Sequence, residues 1–76
     1  MLEREVKVGG LYRHFKGTIY KVICVAKDSE TLEEKVVYNH DGTDKFWIRE
    51  KEMFLSEVDH EKYPDVVQKY RFEEIG

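Results

Sequence analysis

Apolar and polar side chains alternate along most of the chain, the period of two that predicts half-buried strands. The densest run is residues 18–26 (TIYKVICVA), rich in the β-branched and aromatic side chains that suit a pleated surface. Strict alternation puts Tyr20, Val22, Cys24 and Ala26 on one face and Ile19, Lys21, Ile23 and Val25 on the other. Both faces are largely apolar, which predicts a central strand or one that curls within a small barrel. Ahead of it, Gly9-Gly10 opens a strand over residues 11–15. Lys16-Gly17 then reads as a tight turn, because glycine takes positive φ without steric cost.

The polar stretch 27–32 (KDSETL) is a loop, with Asp28 and Ser29 placed for a local turn. Residues 35–40 (KVVYNH) and 45–50 (KFWIRE) are predicted strands, and Asp41-Gly42 between them is a hairpin signal. Val36 shares a face with Tyr38, and Val37 with Asn39. Phe46 pairs likewise with Ile48, and Trp47 with Arg49. After this the period changes. Residues 51–58 (KEMFLSEV) predict a short helix or 3₁₀ turn with Met53 and Phe54 reaching inward. Pro64 suits the first turn of another helix, and Tyr63, Val66, Val67 and Tyr70 follow the i, i+3, i+4, i+7 spacing. Residues 70–75 return as a last strand. The whole predicts a mainly β fold of four to five short antiparallel strands with short helical turns near the C-terminus. Closing such a sheet into a barrel or roll removes its edges.

The length of 76 residues predicts a single domain over residues 1–76. A domain this small buries only about 60% of the surface its unfolded chain exposes. Five Tyr, four Phe and one Trp compensate, and most of these rings are expected in the core. The net charge of −3 is unevenly spread, with +4 over residues 1–27 and −7 over residues 28–76. One face is therefore a candidate for local positive potential, unless the halves neutralise each other across the sheet. The single cysteine, Cys24, cannot form an internal disulfide, which points to a reducing compartment. Its place in mid-strand predicts a small buried hydrophobe. No membrane-length apolar run and no signal-peptide pattern are visible, so the expected location is cytoplasmic.

The candidate ligand-binding residues are Tyr12, Arg13, His14, Lys16, Trp47 and Arg49. The first four put three basic or titratable groups beside an aromatic ring, a composition suited to a phosphate or carboxylate. Arg49, next to Trp47, adds a guanidinium and a stacking face. Taken singly, each also has a structural reading, with Tyr12 and Phe15 in the core and Arg13 and Arg49 bridging to Glu30, Glu34 or nearby acids. Ser29-Glu30-Thr31 reads as a turn device before a ligand loop. His14, His40, His60 and Cys24 lack the paired spacing of a zinc site, so no metal is expected. Ser29 has no nucleophile elbow and no glycine-rich phosphate loop is present; neither an enzyme nor a cofactor is expected.

The segment GLYRHFKG (residues 10–17), followed in order by Tyr20-Lys21-Val22, Ala26, Ser29-Glu30-Thr31, Val36-Val37-Tyr38, Trp47-Ile48-Arg49, Met53-Phe54 and Tyr70-Arg71-Phe72, resembles a bacterial family catalogued as domain of unknown function 1653. The resemblance spans about residues 9–75 and implies a small SH3-like barrel or roll. Asp28 stands where the family often has His, and Glu50 where a Pro commonly follows the Arg. The stretch 59–69 departs from the family's shorter glycine-containing turn. The resemblance brings no reaction, substrate or catalytic residue. The expected function is a binding or scaffold module that recognises a peptide, a protein or a small anionic ligand through one face. The alternative is single-stranded nucleic-acid binding, which the net charge of −3 disfavours because such affinity depends on neutralising phosphates. A monomer is expected; an edge strand would allow two copies to pair, but nothing in the sequence demands it.

Overall fold

The computed structural model describes residues 5–40 and 43–76, and the Asp41-Gly42 turn lies outside the described residues. Five strands form one antiparallel sheet: β1 (Leu11–His14), β2 (Ile19–Lys27), β3 (Glu34–His40), β4 (Phe46–Glu50) and β5 (Phe72–Glu74). Their order is β4-β3-β2-β1-β5, with one helical turn, α1 (Lys51–Phe54), between β4 and β5. The mainly β fold is therefore as the sequence predicts. The sheet coils over its own inner face, but β4 and β5 remain its two ends and do not close a barrel. That geometry is consistent with an open SH3-like roll.

The β1–β2 turn forms where Lys16-Gly17 places it. The Gly17 N–H donates to the His14 carbonyl at 2.7 Å, and Gly17 sits at φ 102°, a conformation costly for any side chain. The β2–β3 loop is organised by Asp28, whose Oδ1 accepts the backbone N–H groups of Glu30 (2.8 Å) and Thr31 (3.1 Å). These two bonds hold the Asp28 carboxyl below its usual range.

The long strand β2 corrects the sequence reading. Val22 pairs with Tyr38, but Cys24 pairs with Val37 and Val25 with Val36, so Ile23 is the extra residue of a β-bulge. The bulge exchanges the faces. Tyr20 and Val22 face inward as strict alternation requires, whereas beyond Ile23 it is Val25 that turns in and Cys24 that turns out. Cys24 is exposed, not a buried hydrophobe. Its thiol is expected to react with a disulfide reagent in the native protein within about tenfold of its rate in denaturant. A thiol enclosed in the core would react about a thousandfold or more slowly, because it must wait for global opening.

Inward-facing Tyr12, Val22, Val36, Tyr38 and Phe72 form the core, closed by Phe54 from α1. Phe54 stacks on Phe72 with centroids 4.1 Å apart and meets Tyr12 edge-on at 5.2 Å. Met53, expected to reach inward beside it, points to solvent. One helical turn has a single inward position, and Phe54 fills it. The helix anticipated at Pro64 is also absent. Residues 59–66 form successive turns, with Tyr63 N–H to the Asp59 carbonyl at 2.9 Å and Val66 N–H to the Tyr63 carbonyl at 3.2 Å. Val67 is 98% exposed, so the apolar spacing there never acquires a face to bury against.

Candidate functional site

The end of β1, the outer half of β3, β4 and the start of β5 converge on the Phe72 ring. Phe72 is fully buried, and the β1–β5 register sets His14 directly opposite it. The two rings meet edge-on at 5.0 Å. Tyr38 approaches Phe72 at 5.4 Å and Tyr20 at 5.9 Å, and Tyr20 is in turn 6.0 Å from His40. Onto this aromatic floor β4 directs Arg49. Its guanidinium carbon stands 5.8 Å from the Phe72 centroid, a cation–π geometry, and its Nε donates to the Tyr38 hydroxyl at 3.4 Å.

Arg49 is half-buried, yet among the described residues none of its partners is an acid. Among the described residues Lys7 pairs with Glu74, Lys35 with Glu33 and Glu50, and Lys51 with Glu34. None of the ion pairs among them involves Arg49, although the chain has 16 acids for 13 bases. The bridges from Arg13 and Arg49 to Glu30 or Glu34 are not made.

His14 stands within the reach of several cations. Burial lowers its pKa first, and the charges of Arg49 (β4), Lys16 (the β1–β2 turn) and Arg71 (the run-in to β5) lower it further. Its Nδ1 accepts the Lys16 backbone N–H at 3.1 Å. The neutral ring therefore carries its proton on Nε2 and presents a donor, not a base. A histidine whose folded pKa lies below 6.5 stabilises the fold above that value and loses the contribution as pH falls through the lowered pKa. Thermal stability is therefore expected to drop from pH 6.5 downward in a component that His14→Gln removes. The window is distinct from that of Asp28, whose contribution fades only below pH 3.8. Melting temperatures of both proteins across this range check it. An identical slope in the two would contradict it.

The six candidate residues separate in space. His14 and Arg49 share the Phe72 ring. Trp47 lies on the same inner face, opposite Tyr38 and half exposed at 50%. Lys16 adds charge from the turn, its Nζ 5.7 Å from the Tyr63 ring. Tyr12 is only 1% exposed, with its hydroxyl accepting the Lys7 N–H at 2.9 Å, so it supports the floor from within the core. Arg13 points to the opposite face of β1, paired with Glu73 across the strand. The sequence reading omitted Tyr20, Tyr38, Arg71 and Phe72. A signal for Tyr38 existed, since it alternates in phase with Val36. Phe72 required the tertiary pairing of β5 with β1.

The site is a lip, not a pocket. The depressions nearest to it are shallow and open, one beside His14, Phe15 and Gln68, another beside Lys16, Ile19 and His40. A more enclosed one, about 290 Å³, lies away from Arg49's guanidinium among Glu33, Glu34, Glu50, Lys51 and Glu52, where acids are already tied to Lys35 and Lys51. These features define a small open β-roll with an arginine-bearing aromatic lip. The family model described as "Protein of unknown function (DUF1653)" matches residues 10–74, and the chain belongs to that family. Comparison with curated proteins and with solved structures gave no match.

Among the described residues no helix is long and apolar enough to cross a membrane.

Proposed function

We propose that the protein is a cytoplasmic binding or scaffold module that receives an anionic group of a peptide, protein or small ligand at Arg49, above the Phe72 ring and beside Trp47 and His14. The reading rests on one observation: a half-buried guanidinium held on an aromatic floor without a carboxylate partner among the described residues, in an acidic chain. Such a group is desolvated and oriented before any ligand arrives, so little ordering remains to be done on binding. His14 Nε2 supplies a second donor nearby. The open lip suits an extended segment better than an enclosed small molecule. The same residues support a non-enzymatic role, because His14 has its one basic nitrogen occupied by the Lys16 N–H.

Trp47 is the sole tryptophan, which gives the site its own fluorophore. Titration with a polyglutamate peptide at low salt is expected to change Trp47 emission, and Arg49→Ala is expected to abolish most of the change. A response to a single-stranded oligonucleotide but not to polyglutamate would favour the nucleic-acid alternative. No response to either would sink the reading.

A further inference from the structure

The two ends of the sheet are treated differently. β5 is short, and the chain just before it is covered: Arg71 N–H donates to the Ser56 carbonyl at 3.0 Å, Val58 N–H to the Lys69 carbonyl at 2.9 Å, and Glu57 bridges Tyr70. β4 has no such cover. It is the end of the strand order, and among the described residues no further backbone hydrogen bond reaches Phe46–Arg49 beyond its ladder with β3. It also carries three consecutive exposed apolar side chains, Phe46 (58%), Trp47 (50%) and Ile48 (67%). The usual protections of an edge, a proline, a bulge or a charge in mid-strand, are missing from its centre.

We propose that this edge pairs with β4 of a second copy of the chain, antiparallel and centred on Ile48. A two-fold axis normal to the sheet keeps inner faces with inner faces, so the strand can centre only on one of its own residues. Centring on Trp47 sets Lys45 against Arg49 and Asp44 against Glu50 of the second copy, both like-charged. Centring on Arg49 sets the two guanidinium-bearing residues against each other. Centring on Ile48 pairs the whole of β4 with itself: Ile48 against Ile48 and Phe46 against Glu50 on the outer face, each Trp47 against the second copy's Arg49 on the inner face, and the like-charged Lys45 and Lys51 only beyond the strand, where α1 begins. That arrangement joins apolar to apolar and a ring to a cation twice over. The outer-face row continues through Val37 to Cys24, so the seam extends an apolar strip already present on each copy. The two lips then lie side by side, each Arg49 next to the Trp47 of the other chain. The pairing does not depend on anion binding at Arg49.

Sedimentation equilibrium of the full chain tests it. The wild type is expected to associate to a dimer in the micromolar-to-millimolar range, and Ile48→Lys, a change at an exposed position, to remain monomeric at every concentration. The register is read by cysteine cross-linking in a Cys24→Ser background. Directly opposed residues of antiparallel strands lie about 4.5–5.5 Å apart at Cα, within disulfide reach. Ile48→Cys is therefore expected to oxidise to a covalent dimer at least tenfold faster than Phe46→Cys. A wild type that stays monomeric at millimolar concentration overturns the proposal, as does a dimer that survives Ile48→Lys. Equal cross-linking at both positions overturns the register.

Discussion

Replacing Phe72 with alanine is expected to destabilise the protein severely, moving its urea midpoint far toward zero. Phe72 is fully buried at the meeting point of the core and the site, stacked on Phe54 at 4.1 Å and touched by the rings of His14, Tyr20 and Tyr38. Removing a buried phenylalanine costs about 3–5 kcal/mol, part transfer and part unfilled cavity. A protein of this length has a total stability of about 4–11 kcal/mol. The substitution therefore consumes between about a quarter and the whole of it. Little local collapse is available to refill the space, because Tyr12, Tyr38 and Phe54 are already locked against one another. Urea titrations of the two proteins, followed by far-ultraviolet circular dichroism, give the comparison. A midpoint unchanged by the substitution would show that the core does not centre on this ring. Phe72→Leu conserves more volume and is expected to fold, with a loss below about 2 kcal/mol. It still removes the aromatic platform beneath Arg49, so it separates the stabilising role of the ring from its role in the site.

The second large effect is on binding. Arg49→Ala is expected to weaken capture of an anionic peptide roughly 10- to 100-fold, the loss that follows from removing a charge-assisted hydrogen bond of about 1.5–3 kcal/mol. Arg49→Lys is expected to recover only part of this. A lysine keeps the charge but not the planar fork, nor the stacking on Phe72. The effect should shrink as salt rises, since the lip is open to solvent and its field is screened within about 10 Å at 0.1 M ionic strength. The substitution is expected to change stability far less than Phe72→Ala, because among the described residues the side-chain hydrogen bond lost is the long one to Tyr38 at 3.4 Å. Unchanged affinity in Arg49→Ala would move the binding surface elsewhere on the protein.

Which of these features can be read from the chain follows from how local their causes are. β1, the Gly17 turn, β3 and β4 are dictated by alternation and turn chemistry over a few residues, and they form where the sequence predicts. The inward direction of Val36, Tyr38, Trp47 and Arg49 follows from the same period. The bulge at Ile23 does not, because both faces of β2 are apolar and alternation alone gives no reason to insert a residue. The need for it arises only when the sheet must coil over Phe54 and Phe72. The helical spacing of Tyr63, Val66, Val67 and Tyr70 is a coincidence of composition. Two successive turns and the bridge from Tyr70 to Glu57 use those backbone groups otherwise. Within the site, the residue types of His14 and Arg49 are legible, since basic or titratable groups beside rings are a recognisable composition. Their shared contact with one ring is not, because it depends on β5 crossing from the far end of the chain to pair with β1. Arg13, adjacent to His14 in sequence, falls on the other face for the same alternation that places His14 inward.

The most direct test reads Arg49 itself. In a ¹⁵N spectrum tuned to arginine side chains, the Arg49 Nε–Hε resonance is assigned by its loss in Arg49→Ala and followed during titration with a polyglutamate peptide at low salt. A saturable shift of that resonance, accompanied by the His14 ring signals and reversed by added salt, is the outcome expected of a preformed anion lip. An Arg49 signal that stays fixed while other surface resonances move would contradict it.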